Sequence, residues 1–161
     1  MTTDSVSVSY VSDCEKSCGE SMDTLKSVQS MNWDTVKKFH LNPPKIQLPR
    51  EDSVIQRYKE NMSIIKMTHT IPEYIMEKYF STGKKVILTA NDYPYFTTSN
   101  VVHYLLWIHP SFVVDNGSIK ELIIDKMPLS LDCQEFIYFE NDSHNKSILD
   151  IRHFHVFIRV N

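Results

Sequence analysis

The last strand-like segment of the chain constrains its fold most. Residues 152–159 read Arg-His-Phe-His-Val-Phe-Ile-Arg, and this β-branched and aromatic content predicts a strand. Because successive side chains of a strand point to opposite faces, His153 and His155 share one face, ~6–7 Å apart. The opposite face is apolar and consists of Phe154, Val156 and Ile158. Two such imidazoles can bind a metal or a phosphate, or one can act as a nucleophile assisted by the other. They can also be half-buried side chains that only form hydrogen bonds within the fold.

Composition and charge restrict the class of protein. The chain has 161 residues, of which 42% are hydrophobic, enough for one domain with its own core. Its net charge of -3 gives no basic surface for nucleic acid, so no nucleic-acid partner is expected. Apolar runs such as Val101–Ile108 are too short to span a bilayer, and residues 1–12 lack the apolar core of a secretion signal. We therefore expect a cytoplasmic protein with no membrane partner.

The beginning of the chain differs in composition from the rest. Residues 1–30 are dominated by Ser, Thr, Asp and Glu and predict a disordered leader, which leaves residues 31–161 as a single domain. The cysteines Cys14, Cys18 and Cys133 are an odd set, which does not form a disulfide framework.

Helix and strand signals alternate along residues 31–161. Three Ser/Thr-x-x-Glu/Gln sequences match the capping box that opens a helix, and they begin at Ser53, Thr70 and Ser118. Four β-branched and aromatic runs predict strands: Lys85–Thr89, Val101–Ile108, Glu135–Phe139 and Arg152–Val160. Because the connections are short, the pattern predicts an α+β fold with one antiparallel sheet of about four or five strands packed against helices.

Polar residues cluster at the ends and on one face of these strands, as in many ligand sites. His103 lies on a strand that is apolar on both faces, so we expect it near the centre of the sheet. Tyr95 and Trp107 can stack on a base or sugar ring, or simply fill the core. The candidate ligand-binding residues are Asn91, Asp92, Tyr95, Trp107, Asn141 and Ser147.

Six of these sequence elements occur together in a known order. They are Trp33, Asn91-Asp92-Tyr93-Pro94-Tyr95, His103-Tyr104-Leu105-Leu106-Trp107, Tyr138-Phe139-Glu140-Asn141, Lys146-Ser147 and His153-Phe154-His155-Val156. Over roughly residues 32–160 the chain resembles the fungal N-acetylglucosamine-induced protein family, a domain of unknown function. The resemblance implies a cytoplasmic protein. One departure is Phe96, where that family usually has Gly.

The same order is also similar, more distantly, to the histidine-triad nucleotide hydrolases and transferases. The resemblance implies a histidine-triad-like fold in which His155 attacks an α-phosphorus, with His153 beside it and His103 lining the pocket. The covalent phosphohistidine is then hydrolysed or transferred, and Asn141 and Ser147 bind ribose or phosphate. The third triad position is occupied by Phe157 rather than histidine.

Three kinds of function stay open. The first, and the one we expect, is a small-molecule site for a phosphorylated or nucleotide ligand. The most specific version of this hypothesis is histidine-based phosphoryl or nucleotidyl chemistry, in which His155, His153 and His103 are the catalytic residues. The second is a binding or regulatory module without turnover. The third is a metal site in which Asp92 joins the histidines. The catalytic and metal hypotheses require the side chains of His103 and His155 to lie within about 10 Å of each other. The sequence leaves cofactors and oligomeric state open.

Overall fold

The computed structural model describes residues 28–141, 148 and 150–161. Its strands are β1 (Val86–Ala90), β2 (Val101–Ile108), β3 (Cys133–Phe139) and β4 (His153–Val160). Its helices are α1 (Trp33–Val36), α2 (Asp52–Ile65), α3 (Ile71–Phe80) and α4 (Ile119–Lys126), with 3-10 turns at Lys37–His40 and Asn116–Ser118. Most of the predicted leader, Cys14, Cys18 and the candidate ligand residue Ser147 lie outside the described residues.

The four strands form one antiparallel sheet in the order β1-β2-β4-β3. The predicted α+β fold with an antiparallel sheet and packed helices is therefore confirmed. Strands β2 and β4 are central. For β2 this agrees with the expectation for a strand that is apolar on both faces. Their register sets His103 opposite Phe157, Leu105 opposite His155, and Trp107 opposite His153. Three histidines consequently lie on one face of two neighbouring strands.

The two faces of the sheet bury different cores. One face packs against α4, through Leu106, Ile108, Phe154, Val156 and Ile158 of the sheet and Ile119 and Ile123 of the helix. On the other face, α1 and its following turn cover Phe157 and Phe139, while α3 packs on Leu105 and Trp107. This second face carries the histidines, so the imidazoles lie between aromatic and aliphatic side chains.

Among the helices in the described part of the chain, none combines the length and apolarity needed to cross a membrane. The cytoplasmic location stays a prediction.

Only one of the three predicted capping boxes forms. The Glu73 N–H donates to the Thr70 hydroxyl at 3.4 Å, and the Thr70 N–H donates to the Glu73 carboxylate at 2.8 Å. Ser53 instead lies inside α2, which begins at Asp52. Ser118 has helical backbone angles at the start of α4, and its hydroxyl donates to the Asp115 carboxylate at 2.8 Å and makes no cap hydrogen bond.

This difference gives a matched pair of substitutions. Thr70→Ala removes the acceptor at the start of α3 and is expected to lower the free energy of unfolding by about 1 kcal/mol. Ser53→Ala removes no cap and is expected to change that free energy by less than about 0.5 kcal/mol. Urea unfolding of both variants provides the measurement. Equal losses would contradict the assignment of the caps.

Candidate functional site

A cleft of about 610 Å³ opens between the histidine face of the sheet and the helices α2 and α3. The sheet side contributes Leu105, Trp107, His153 and His155, and the turn before β2 contributes Asn91, Asp92, Tyr93 and Tyr95. The helix side contributes Ile55, Tyr58, Lys59, Met62, Lys66, Tyr74, Ile75, Lys78 and Tyr79. Arg50 and Asn141 also line it. This volume is within the range of small-molecule sites.

His103 and His155 are in direct contact beneath this cleft. His103 Nε2 lies 2.9 Å from His155 Nδ1, and the ring centroids are 5.1 Å apart. The ring of His153 lies 5.8 Å from that of His155, and its Nδ1 is 3.0 Å from the carbonyl oxygen of Ile151, to which it donates. All three side chains are buried, with exposed fractions of 4–5%. The structure therefore brings the three sequence-predicted histidines together.

Burial holds the central pair in the uncharged form. Burial lowers the pKa of His103 well below its ordinary value, and the neighbouring His155 and Arg50 lower it further. Burial likewise lowers the pKa of His155 to about 3, with further contributions from His153 and Arg50. Both rings are therefore neutral at physiological pH.

The turn before β2 supports His103 from above. The Tyr95 backbone N–H donates to His103 Nδ1 at 3.1 Å, and the Tyr95 ring stacks on the imidazole with centroids 4.9 Å apart. Asn91 shapes this turn, because its Oδ1 accepts the Tyr93 N–H at 2.9 Å. Its Nδ2 lies 3.3 Å from the same Nδ1 of His103. Asn91 and Tyr95 thus position the histidine as well as line the cleft.

Asp92 forms an ion pair at the edge of the cleft. Its carboxylate lies in the lining of the cleft and pairs with Lys78 of α3. Burial lowers the pKa of Lys78, but its hydrogen bond to Asp92 and its contacts with Tyr79 outweigh this and raise the pKa. Among the described residues, no group of three or more His, Cys, Asp or Glu side chains is arranged to hold a metal ion. The His/Asp metal site that the sequence allowed is therefore not formed by these residues.

Trp107 forms part of the cleft wall from β2. Its exposed fraction is 3%, and its ring lies between Tyr79 at 5.5 Å and His153 at 4.6 Å between centroids. Within the described part of the chain, its indole Nε1–H has no hydrogen-bond partner. Unpaired buried donors are rare in folded proteins.

Sequence reasoning missed the helix side of the cleft. The apolar residues of α2 predict a core-facing stripe, yet Val54 is its only buried residue. Ile55, Tyr58 and Met62 face the cleft instead, together with Lys59. The i, i+3, i+4, i+7 spacing of these residues shows a common face, but it does not show that the face borders a cavity.

Phe157 occupies the position of a third histidine. It is fully buried and stacks on His103 with centroids 4.4 Å apart, and its neighbours include Tyr95 and Phe139. Its apolar ring supports the histidine pair from below and offers no polar atom to a phosphate.

Comparison with known proteins identifies a family without a known activity. Residues 9–159 match the model of a family described as "Protein of unknown function (DUF3605)". No curated protein matches the chain. A solved structure described as "Crystal Structure of HTC1" is similar with a TM-score of 0.57 and 17% identity, over 82% of this chain and 86% of that one. At this identity the likeness shows a shared fold only. Neither comparison confirms the N-acetylglucosamine-induced or the histidine-triad resemblance. Because the family model spans nearly the whole chain, the protein belongs to this family of unknown function.

Proposed function

We propose that the cleft binds a small anionic ligand, of the phosphorylated or nucleotide class, and holds it without covalent attack by His155. The observation that supports this proposal is that the lining of the cleft is positively charged, whereas the chain as a whole is negatively charged. The chain as a whole has a net charge of -3. The described lining of the cleft contains four cationic side chains and one carboxylate, a formal charge of +3 with the histidines neutral.

The positions of these cations favour an anion at the mouth of the cleft. Lys59 of α2 and Lys66 at its end are exposed and line the helix side. Arg50 lies over the Tyr95 ring, 4.3 Å from its centroid, and its Nε donates to the Tyr93 carbonyl at 3.0 Å. Lys78 is paired with Asp92. Cationic groups in a partly enclosed cleft raise the local concentration of anionic ligands.

The remaining walls suit an aromatic or sugar ring. Tyr58, Tyr74, Tyr79 and Tyr93 line the cleft together with Trp107. Aromatic faces stack on bases and pack on sugar rings, while their polar atoms accept or donate hydrogen bonds. A phosphate near the cations and a ring between the aromatics together describe a nucleotide or a sugar phosphate.

The contacts of the His155 ring do not favour covalent attack by this residue. A nucleophilic imidazole needs an available lone pair, and both ring nitrogens of His155 have partners within 3.0 Å, His103 and Asn141. Attack on phosphorus would first break the contact with His103. Binding of the ligand requires no such change.

A ligand panel tests the proposal. Thermal unfolding of the whole chain is measured with AMP, ATP, glucose 6-phosphate and pyrophosphate, and with uncharged adenosine and glucose. An anionic ligand at a hundred times its Kd is expected to add about 2.7 kcal/mol to the free energy of unfolding, which shifts the Tm by several degrees. The same mixtures are checked for hydrolysis products.

Charge reversal supplies the control. Lys59→Glu combined with Lys66→Glu is expected to weaken binding at least about tenfold at low salt, and less at high salt. Lys120→Glu places the same change on α4, outside the cleft, and is expected to leave the affinity nearly unchanged. The proposal fails if no anionic compound shifts the Tm, or if both variants lose the same affinity. Hydrolysis that His155→Gln abolishes would instead establish histidine-based phosphoryl chemistry.

A further inference from the structure

Strand β1 lies at an edge of the sheet, with β2 on one side and no strand of the described residues on the other. Just after its end, the Asn91 N–H donates to the His103 carbonyl at 2.9 Å. Just before its start, the Lys85 carbonyl accepts from the His109 N–H at 2.8 Å. In an antiparallel pair, residues that exchange hydrogen bonds alternate with residues that exchange none. The odd-numbered residues of β1 therefore bond to β2, and the backbone N–H and C=O groups of its even-numbered residues point away from β2.

The even-numbered residues Val86, Leu88 and Ala90 thus present a row of backbone donors and acceptors along this edge. The Ala90 carbonyl accepts from the neighbouring Thr89 hydroxyl at 3.5 Å. Within the described residues, the other outward backbone groups of this row have no hydrogen-bond partner. Such an open edge is a template on which an extended peptide adds a further strand.

The opposite edge of the sheet is different. The 3-10 turn Lys37–His40 packs against β3, and His40 Nδ1 lies 3.3 Å from the Tyr138 carbonyl oxygen. Strand β1 is therefore the edge that the described part of the chain leaves open to a partner.

A groove of about 490 Å³ lies beside the open edge, between β1 and α4. Its apolar lining includes Leu88 of the strand, Leu122 of the helix and Phe112, which is 38% exposed. The groove is on the α4 side of the sheet, and none of its lining residues lines the histidine cleft. Because the side chains of a strand alternate between faces, a strand added to β1 places every second side chain on the side of this groove. The groove therefore fits a segment with apolar residues at alternate positions.

Three lysines line the groove, and its described lining contains no carboxylate. Lys84 and Lys85 stand immediately before β1, and Lys126 is the last residue of α4. Lys85 donates to the Ser111 hydroxyl at 3.0 Å, and Lys126 pairs with its neighbour Asp125 at 2.9 Å. Lysines beside a strand edge repel basic segments and attract acidic ones.

We propose that the open edge of β1 and this groove are a docking site for an extended segment of another protein. The segment adds to β1 as an antiparallel strand, and its alternate apolar side chains enter the groove. Carboxylates near its C-terminal end lie beside Lys84 and Lys85, because the C-terminal end of an antiparallel partner lies at the start of β1. The docking site is separate from the histidine cleft, so it does not depend on the ligand of that cleft.

A peptide of the same chemistry tests the proposal. The probe is a capped, fluorescein-labelled peptide of alternating threonine and valine that ends in two glutamates, and its binding to the whole chain is followed by fluorescence anisotropy. We expect saturable binding, and binding at least about tenfold weaker at low salt when lysines replace the two glutamates. Equal affinities of these two peptides, or no binding of the glutamate peptide, would overturn the proposal.

Two further peptides show whether the segment adds as a strand. Each is N-methylated at one of the two sets of alternate residues. Only the set that faces β1 donates to it, so one methylated peptide is expected to lose binding and the other to keep it. If both peptides bind equally well or equally poorly, the segment is not added as a strand and the proposal is wrong.

Variants of the protein place the contact on β1 and its lysines. Ala90→Pro removes one outward N–H and no hydrogen bond to β2, so it is expected to weaken binding about three- to tenfold, whereas Ala90→Ser keeps the N–H and serves as its control. Lys84→Glu combined with Lys126→Glu is expected to weaken binding at least about tenfold. Lys38→Glu, in the turn beside β3, is expected to leave the affinity nearly unchanged. Urea unfolding checks that Ala90→Pro stays folded, and unchanged binding by the lysine double variant contradicts the proposal.

Amide hydrogen exchange distinguishes this occupant from others. The Leu88 and Ala90 amides are expected to exchange quickly in the free protein and slowly with the glutamate peptide bound. The Ile87 and Thr89 amides bond to β2 and are expected to exchange slowly in both states. Slow exchange of Leu88 and Ala90 without peptide would mean that another part of the chain occupies the edge, or a second copy if the protection rises with protein concentration. Either result overturns the proposal.

Discussion

Lowering the pH from 7 to 5 is expected to remove about 4 kcal/mol from the free energy of unfolding through His103 and His155 alone. In the unfolded chain both histidines take up a proton near pH 6.5. In the folded protein burial lowers the pKa of His155 to about 3 and that of His103 well below its ordinary value. The unfolded state therefore binds more protons in this range, so stability falls as the pH falls. Below about pH 3 the contribution of His155 is lost entirely.

Urea unfolding at several pH values measures this effect. His155→Gln removes one of the two neutral imidazoles and is expected to reduce the loss between pH 7 and 5 by about 2 kcal/mol. His40→Gln changes an exposed histidine and serves as the matched control. In this variant the free energy of unfolding is expected to fall between pH 7 and 5 by the same amount as in the wild type. The groups around the pair, His153 and Arg50, are intact in both variants. Equal stability of the wild type at pH 7 and 5 would show that the pair is not held neutral.

Phe157→Ala is expected to lower the free energy of unfolding by about 3–5 kcal/mol. The ring is completely buried at the centre of β4 and lies 4.4 Å from the His103 ring, 6.0 Å from Phe139 and 6.3 Å from Tyr95, between centroids. Truncation would leave a cavity below the histidine pair, which the surrounding strands cannot close without losing their register.

Phe112→Ala is the matched control for this substitution. Phe112 has an exposed fraction of 38% and lies in the connection after β2. Its truncation is expected to cost clearly less than that of Phe157, because more than a third of the side chain is already exposed and its removal leaves no closed cavity. Denaturant unfolding at pH 7 compares the two variants. Similar losses would contradict the description of Phe157 as the support of the site.

The fold was accessible from the sequence because its strands are strongly patterned. Residues 101–108 are apolar on both faces, which predicts a central strand, and the structure has β2 in the middle of the sheet. The alternation of His153 and His155 likewise predicts a shared face. The central position of a strand and the shared face of two side chains depend on the local order of residues, so they can be predicted without knowledge of tertiary contacts.

The cleft was harder to predict from the sequence, because it depends on tertiary contacts between distant segments. Tyr58 and Met62 of α2 have the spacing of a core stripe, and only the packing of the whole domain shows that they border a cavity. The support of His103 depends on the Tyr95 backbone N–H, which lies eight residues from His103 and has no signal in the side-chain pattern. The pairing of Asp92 with Lys78 depends on the position of α3, which the local sequence around Asp92 does not show.

The two tryptophans of the chain allow the central claim to be tested within one sample. Trp107 lines the cleft, whereas Trp33 lies in another core cluster and donates from Nε1 to the Glu135 carboxylate at 2.8 Å. Their indole N–H signals are followed in ¹H–¹⁵N spectra during titration with AMP and pyrophosphate, with Trp33→Phe to assign them. We predict that the Trp107 signal moves and saturates while the Trp33 signal stays in place. If the Trp107 signal does not move, or only Trp33 responds, the cleft is not the binding site.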